Sequence, residues 1–221
     1  MKVKICGIRT YEDALDSIEA GADMLGFNFY PDSPRYITPG DCMRMLVRLE
    51  MALREDLADI TLVGVFVNAG ADFIHAVFRD CHLDRIQLSG DEPPELLEQL
   101  GERAFKALRP PSMEAMEEAV RRYPRRGLSP AWLLDTYRQG SYGGTGQTMD
   151  WAMARKLARE APILLAGGLH ADNVVEAIQQ VSPWGVDVAS GVESEPGVKD
   201  PRKVRAFIRA VRSYQQEPST W

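Results

Sequence analysis

Cysteine is scarce in this 221-residue sequence, which holds only Cys6, Cys42 and Cys81. An odd number without metal-ligand spacing argues against a disulfide framework and for a reducing compartment, with at least one thiol chemically free. Histidine is equally scarce: the spacing of His75, His82 and His170 suits neither a metal site nor a triad. Cys81-His82 reads as a surface pair at a helix end. No Gly-Lys-Ser/Thr phosphate loop and no dinucleotide fingerprint occurs, so neither a cofactor nor a metal is expected. No apolar run approaches the roughly 18 residues of a membrane helix. The stretch from Met1 to Cys6 lacks the basic region and long apolar segment of a secretory signal. Basic surplus is missing too, since 26 Lys and Arg stand against 32 Asp and Glu for a net charge of −6. That argues against a nucleic-acid partner, and Arg121, Arg122, Arg125 and Arg126 read as a solvated helix end. A cytoplasmic protein with no membrane or nucleic-acid partner is the expectation.

What is present is an ordinary globular composition, 45% hydrophobic and 26% charged. The length allows one barrel or two small domains. No linker rich in Pro, Gly or Ser divides the chain, so one domain over residues 1–221 is expected. Short apolar runs alternate with longer amphipathic stretches, the pattern of strand and helix units around a parallel sheet. The strand candidates are Val3–Cys6, Met24–Phe27, Leu62–Val67, Arg85–Leu88, Ala104–Leu108, Trp132–Asp135, Ile163–Ala166 and Val186–Ala189. Helices are expected over Glu12–Ala20, Gly40–Leu53, Ala71–Asp80, Glu95–Leu100, Ser112–Arg122, Trp151–Glu160, Asp172–Val181 and Pro201–Tyr214. About eight such units predict an α/β fold, a single (β/α)8 TIM barrel. The stretch Ser194–Lys199 is too irregular to place.

In a barrel, active sites are built from loops at the C-terminal ends of strands. The two longest irregular segments, Asn28–Pro39 and Tyr137–Met149, both follow strand candidates, and the Gly-rich second one suggests a lid. Leu165-Ala166-Gly167-Gly168 and Val188-Ala189-Ser190-Gly191 follow the seventh and eighth strands, where barrels commonly bind phosphate. Gly167, Gly168, Ser190 and Gly191 are therefore candidate phosphate contacts, because glycine lets backbone amides approach an anion closely. The alternative is that these glycines only permit tight turns. Cys6 ends the first strand, with Lys4 two residues earlier on the same face, where a cation favours the thiolate. A merely buried apolar cysteine is the competing reading. Asp135 closes an apolar strand, so partial desolvation would suit a general acid; a turn cap or a partner for Lys4 would use it equally well. Arg35, in Pro31-Asp32-Ser33-Pro34-Arg35, sits in a proline-stiffened loop that could present its guanidinium fork to a substrate carboxylate or merely solubilise the surface.

Taken in order, several stretches resemble the phosphoribosylanthranilate isomerases of tryptophan biosynthesis. They are Val3-Lys4-Ile5-Cys6-Gly7-Ile8, Gly26-Phe27-Asn28-Phe29-Tyr30 with Ser33-Pro34-Arg35-Tyr36-Ile37, and Val63-Gly64-Val65-Phe66-Val67-Asn68. Leu134-Asp135, Gly143-Gly144-Thr145-Gly146, Leu165-Ala166-Gly167-Gly168-Leu169 and Asp187-Val188-Ala189-Ser190-Gly191-Val192-Glu193 complete the set. The resemblance implies a (β/α) barrel that converts N-(5-phosphoribosyl)anthranilate to 1-(2-carboxyphenylamino)-1-deoxyribulose 5-phosphate by an Amadori rearrangement. It implies Asp135 as general acid on the furanose ring oxygen and Cys6 as general base at sugar C2. It also implies Arg35 on the anthranilate carboxylate and the two Gly-bearing turns on phosphate.

Two positions depart from the family pattern. The usual Gln-Leu-His-Gly or Gln-Phe-His-Gly is Gln87-Leu88-Ser89-Gly90 here, and a residue that is often Asn is His170. Ser89 is shorter than imidazole and uncharged, so any role of that histidine is in doubt. Two rival readings remain. The related aminoaldose-phosphate isomerase of histidine biosynthesis places an aspartate where this chain has Cys6. A barrel that binds phosphorylated metabolites without turning them over would keep the glycine turns but need neither Cys6 nor Asp135.

Overall fold

The structure, a computed structural model, describes residues 1–125, 127–135 and 151–216. Its strands are β1 (Lys2–Cys6), β2 (Met24–Asn28), β3 (Thr61–Phe66), β4 (Arg85–Leu88), β5 (Ala104–Leu108), β6 (Trp132–Asp135), β7 (Ile163–Ala166) and β8 (Gly185–Val188). They form a closed parallel barrel in sequence order, with β8 returning to pair with β1. The helices are α1 (Tyr11–Glu19), α2 (Pro39–Leu53), α3 (Glu55–Ala58), α4 (Ala71–Asp80), α5 (Pro94–Leu100), α6 (Met113–Arg122), α7 (Trp151–Glu160), α8 (Val174–Val181) and α9 (Pro201–Gln216). The expected (β/α)8 architecture is the one observed.

Local chemistry explains where the helices begin. The Thr10, Thr38 and Ser112 hydroxyls accept from the backbone N–H groups of Asp13, Asp41 and Ala115 at 3.1, 3.1 and 3.2 Å, which caps α1, α2 and α6. Pro39 opens α2, where its missing N–H costs nothing. The same helix buries Cys42, Met45, Leu46 and Leu49, one face at helical spacing, against the barrel wall.

Alternation along the strands divides the core in two. One face packs outward beneath the helices; the other fills the barrel with Met24, Val63, Phe105, Ala107, Leu133, Leu164 and Ala166. Arg85 closes the N-terminal end. Its guanidinium donates to the carbonyls of Arg103 at 3.0 Å, Leu128 and Pro130 at 3.4 Å each, and Ser129. Burial lowers that guanidinium to about 10, still charged at neutrality.

The structure also corrects and extends the sequence reading. His82 is exposed with a φ of 48°, but Cys81 is buried, its thiol 3.5 Å from the Pro39 carbonyl oxygen, so the pair is not a surface feature. The unplaced stretch near residue 194 is an antiparallel hairpin of β9 (Glu193–Glu195) and β10 (Val198–Lys199). Helix α3 had no counterpart among the expected elements. The expected lid, Tyr137–Met149, lies outside the described residues. Among the described residues, no helix is long and apolar enough to cross a membrane.

Candidate active site

Cys6 stands at the C-terminal end of β1, on the inward face it shares with Lys4. Its register partner is Gly26 on β2, and a Cβ there would lie 2.9 Å from the Cys6 sulfur and 3.0 Å from the Lys4 Nζ. Only glycine leaves room for both groups. Lys4 is fully buried and donates to Asp187 Oδ1 on β8 at 2.7 Å. Burial disfavours its ammonium form, yet the charges of Asp187 and Cys6 outweigh that and hold its pKa above the usual lysine value.

Asp135 closes β6 two residues after inward-facing Leu133, with Ala166 of the barrel interior as its register partner. Its carboxylate pairs with Arg109 Nε at 3.3 Å. Sequence reasoning gave Arg109 no role; it lies one residue beyond β5, and nothing in its local pattern distinguishes it from a surface arginine. Its side chain is 60% exposed against 22% for Asp135, so this ion pair sits at the mouth rather than in the interior.

Arg35 lies in the loop after β2. That loop is braced from within: Asn28 Nδ2 donates to Ser33 Oγ at 3.2 Å, and Asn28 Oδ1 accepts from the Tyr30 N–H at 2.9 Å. The Arg35 fork engages Glu193, with Nε at 2.8 Å and one terminal nitrogen at 2.7 Å. Glu193 also accepts from Lys199 Nζ at 2.8 Å. Its burial would raise its pKa, but Arg35 and Lys199 together hold it below the ordinary carboxylate range. The Arg35 stem crosses Gly7, where a Cβ would lie 2.6 Å from its Cδ and where φ is +82°. Glu193 closed one of the quoted motifs without any role; its partner Lys199 arrives only through the β9–β10 hairpin.

The two glycine-bearing turns meet. Gly167 and Gly168 adopt φ of 99° and 61° after β7. Ser190–Val192 form one 3₁₀ turn after β8, and a Cβ on Gly191 would collide with the Leu169 carbonyl oxygen. Asn173 secures the first turn, donating to the Gly168 carbonyl at 3.0 Å and accepting from the His170 N–H at 2.8 Å. Gly168 and Ser190 are exposed, so this junction is open to a ligand. His170 itself is exposed, 3.6 Å from Asp172.

Ser89 follows β4 and is buried, its hydroxyl accepting from Gln87 Nε2 at 3.0 Å. Among the described residues, no group of three or more His, Cys, Asp or Glu side chains could hold a metal.

The strand order gives these pieces one arrangement. β6, β7, β8 and β1 are consecutive around the barrel, so Asp135, the paired glycine turns and Cys6 occupy one continuous arc of its C-terminal rim.

Comparison with known proteins gives the family. A relative from Geotalea uraniireducens, N-(5'-phosphoribosyl)anthranilate isomerase, is 48% identical over 214 residues, covering 96% of this chain and 98% of the relative. One of the same name from Trichlorobacter lovleyi is 46% identical over 210 residues, covering 95% and 97%. The crystal structure of phosphoribosyl anthranilate isomerase from Thermotoga maritima superposes with a TM-score of 0.83 at 40% identity, covering 96% of this chain and 99% of that one. A phosphoribosyl anthranilate isomerase in complex with reduced 1-(o-carboxyphenylamino)-1-deoxyribulose 5-phosphate gives 0.80 at 38% identity, with the same coverage. Residues 3–210 match the N-(5'phosphoribosyl)anthranilate (PRA) isomerase family, and the chain belongs to it.

Proposed function

We propose that this chain isomerises N-(5-phosphoribosyl)anthranilate to 1-(2-carboxyphenylamino)-1-deoxyribulose 5-phosphate in tryptophan biosynthesis, with Asp135 as general acid and Cys6 as general base. The observation that carries the assignment is the shared rim: an acid and a base on inward faces at strand ends, with a pair of glycine-bearing turns between them. Phosphate held by Gly167, Gly168, Ser190 and Gly191 would lay the ribose across the mouth, the Asp135 carboxyl to one side and the Cys6 sulfur to the other.

The chemistry follows from those positions. Asp135 gives its proton to the furanose ring oxygen as the C1–O bond breaks, leaving a Schiff base between C1 and the anthranilate nitrogen. Cys6, as thiolate, removes the proton from C2, and the electron pair moves into a C1–C2 double bond to give an enolamine. Protonation at C1 with loss of the enol proton yields the ketone, so the net change is an isomerisation. Arg35, oriented by Glu193, is the candidate partner for the anthranilate carboxylate.

In the same reading, residues 1–221 act as one catalytic unit on a small-molecule substrate, and the odd number of cysteines supports a cytoplasmic location. The test supplies purified protein, without added metal or cofactor, with the anthranilate substrate and, separately, with the histidine-pathway aminoaldose phosphate. Turnover of the first is expected. Preference for the second would reassign the substrate, and binding without turnover of either would make the barrel a sensor.

A further inference from the structure

Around Cys6 the structure gathers more charge than the two proton transfers require. Lys4 comes from its own strand, Asp187 from β8, Arg35 from the loop after β2, Glu193 from β9 and Lys199 from β10. Lys4, Arg35 and Lys199 each interact electrostatically with Cys6. The cations are Lys4, Arg35 and Lys199; the carboxylates are Asp187 and Glu193. Farther out, Asp13 faces Lys199 and the Lys203 ammonium donates to the Glu193 carbonyl at 2.7 Å, one charge of each sign. The inner group therefore carries one positive charge in excess, much of it out of water, where an uncompensated ion is costly. Of the cations, Lys4 alone is wholly buried, pinned at 2.7 Å to Asp187, and its Nζ and the Cys6 sulfur lie 3.0 and 2.9 Å from where a Cβ on Gly26 would stand.

We infer that Lys4, anchored by Asp187, is a positioning residue that holds the Cys6 sulfur at the barrel mouth in its anionic form, the thiolate supplying the negative charge the surrounding cluster lacks. The inference rests on the assignment of Cys6 as the base. Gly26 belongs to the same device, because any side chain there would separate the ammonium from the sulfur.

The experiment compares the parent with Lys4→Met and with Lys4→Met/Asp187→Asn, the second removing both charges so that no carboxylate is left unpaired in the interior. Each is alkylated with iodoacetamide across a pH series, with Cys6→Ser as the blank, and kcat/KM is measured over the same range. Loss of the ammonium is expected to slow alkylation at neutral pH about tenfold or more and to move the acid limb of kcat/KM upward by about one unit, with a smaller effect on KM. Alkylation and pH profiles superimposable on the parent would overturn the inference. If neither variant folds, thiolate absorbance of the parent minus that of Cys6→Ser decides: a sulfur uncharged at neutral pH overturns the inference, and a charged one upholds it. Full activity in Cys6→Ser would instead remove the base assignment itself, a result separable from the Lys4 measurements.

Discussion

Arg35 grips Glu193 through two parallel hydrogen bonds of 2.8 and 2.7 Å, so the cation expected to meet the substrate is already held by a carboxylate of the same chain. A fork fixed on one edge is oriented at little entropic cost, and its remaining N–H groups are the ones a substrate carboxylate would use. Arg35→Ala is expected to raise KM about ten- to a hundredfold while kcat falls less, the signature of lost binding common to ground and transition states. Steady-state kinetics with the anthranilate substrate check this; an unchanged KM would remove Arg35 from substrate recognition.

Glu193 is shared between Arg35 and Lys199, and both cations lose their partner if it is truncated. Glu193→Ala is expected to destabilise the protein by about 3–5 kcal/mol, the range for breaking a buried ion pair from one side. Urea unfolding of parent and variant measures the difference. A loss below 1 kcal/mol would mean that water reaches the cluster freely.

Cys6→Ser and Asp135→Asn each delete a proton-transfer group with little change of volume. Turnover is expected to fall by about 10²–10⁴-fold in either variant, with the far-ultraviolet spectrum unchanged. Single-turnover assays would also detect a residual slow reaction. Parent-like rates in one variant would reassign that role to another group on the rim.

Much of this arrangement was legible in the chain. Strands β4 to β7 and helices α4 and α7 coincide with their apolar runs, because a fully buried strand reads as a short continuous hydrophobic block. Cys6, Asp135 and the two glycine turns were legible because each ends such a block. Other elements were not. The β9–β10 hairpin is only a few residues long, with no alternation to read, so Lys199 went unnoticed as a partner of Glu193. Cys81 is buried although its neighbour His82 is exposed: a helix end exposes one residue and buries the next according to tertiary packing, which adjacency in sequence does not encode. The Arg109 pairing with Asp135 depends on β5 lying beside β6, which only the closed sheet supplies.

Gly191 has no space for a side chain because the Leu169 carbonyl occupies that position. Gly191→Ala is expected to push the two turns apart and so weaken phosphate binding, raising KM about tenfold or more with Cys6 and Asp135 untouched. Competitive inhibition by inorganic phosphate should weaken in parallel. Equal inhibition of parent and variant would place the phosphate elsewhere.

The last expectation concerns acid. Glu92 is buried, which alone would raise its pKa, but Lys106 at 2.8 Å and the backbone N–H of Asn68 at 3.0 Å hold it below the ordinary glutamate value. A carboxylate depressed in the folded state contributes stability that is fully present above its unfolded value of about 4.3, and that contribution is lost as pH falls through the lower folded value. Glu193 and Asp23 are depressed in the same sense, so acid should weaken the fold at several points together. Glu92→Gln should therefore be less stable than the parent at pH 7, and the gap between them should close as pH drops from about 5 towards 3. Urea midpoints across that range test the sign. A gap that stays constant would mean that Glu92 keeps the same proton affinity folded and unfolded, and the Lys106 pair would then contribute through packing rather than charge.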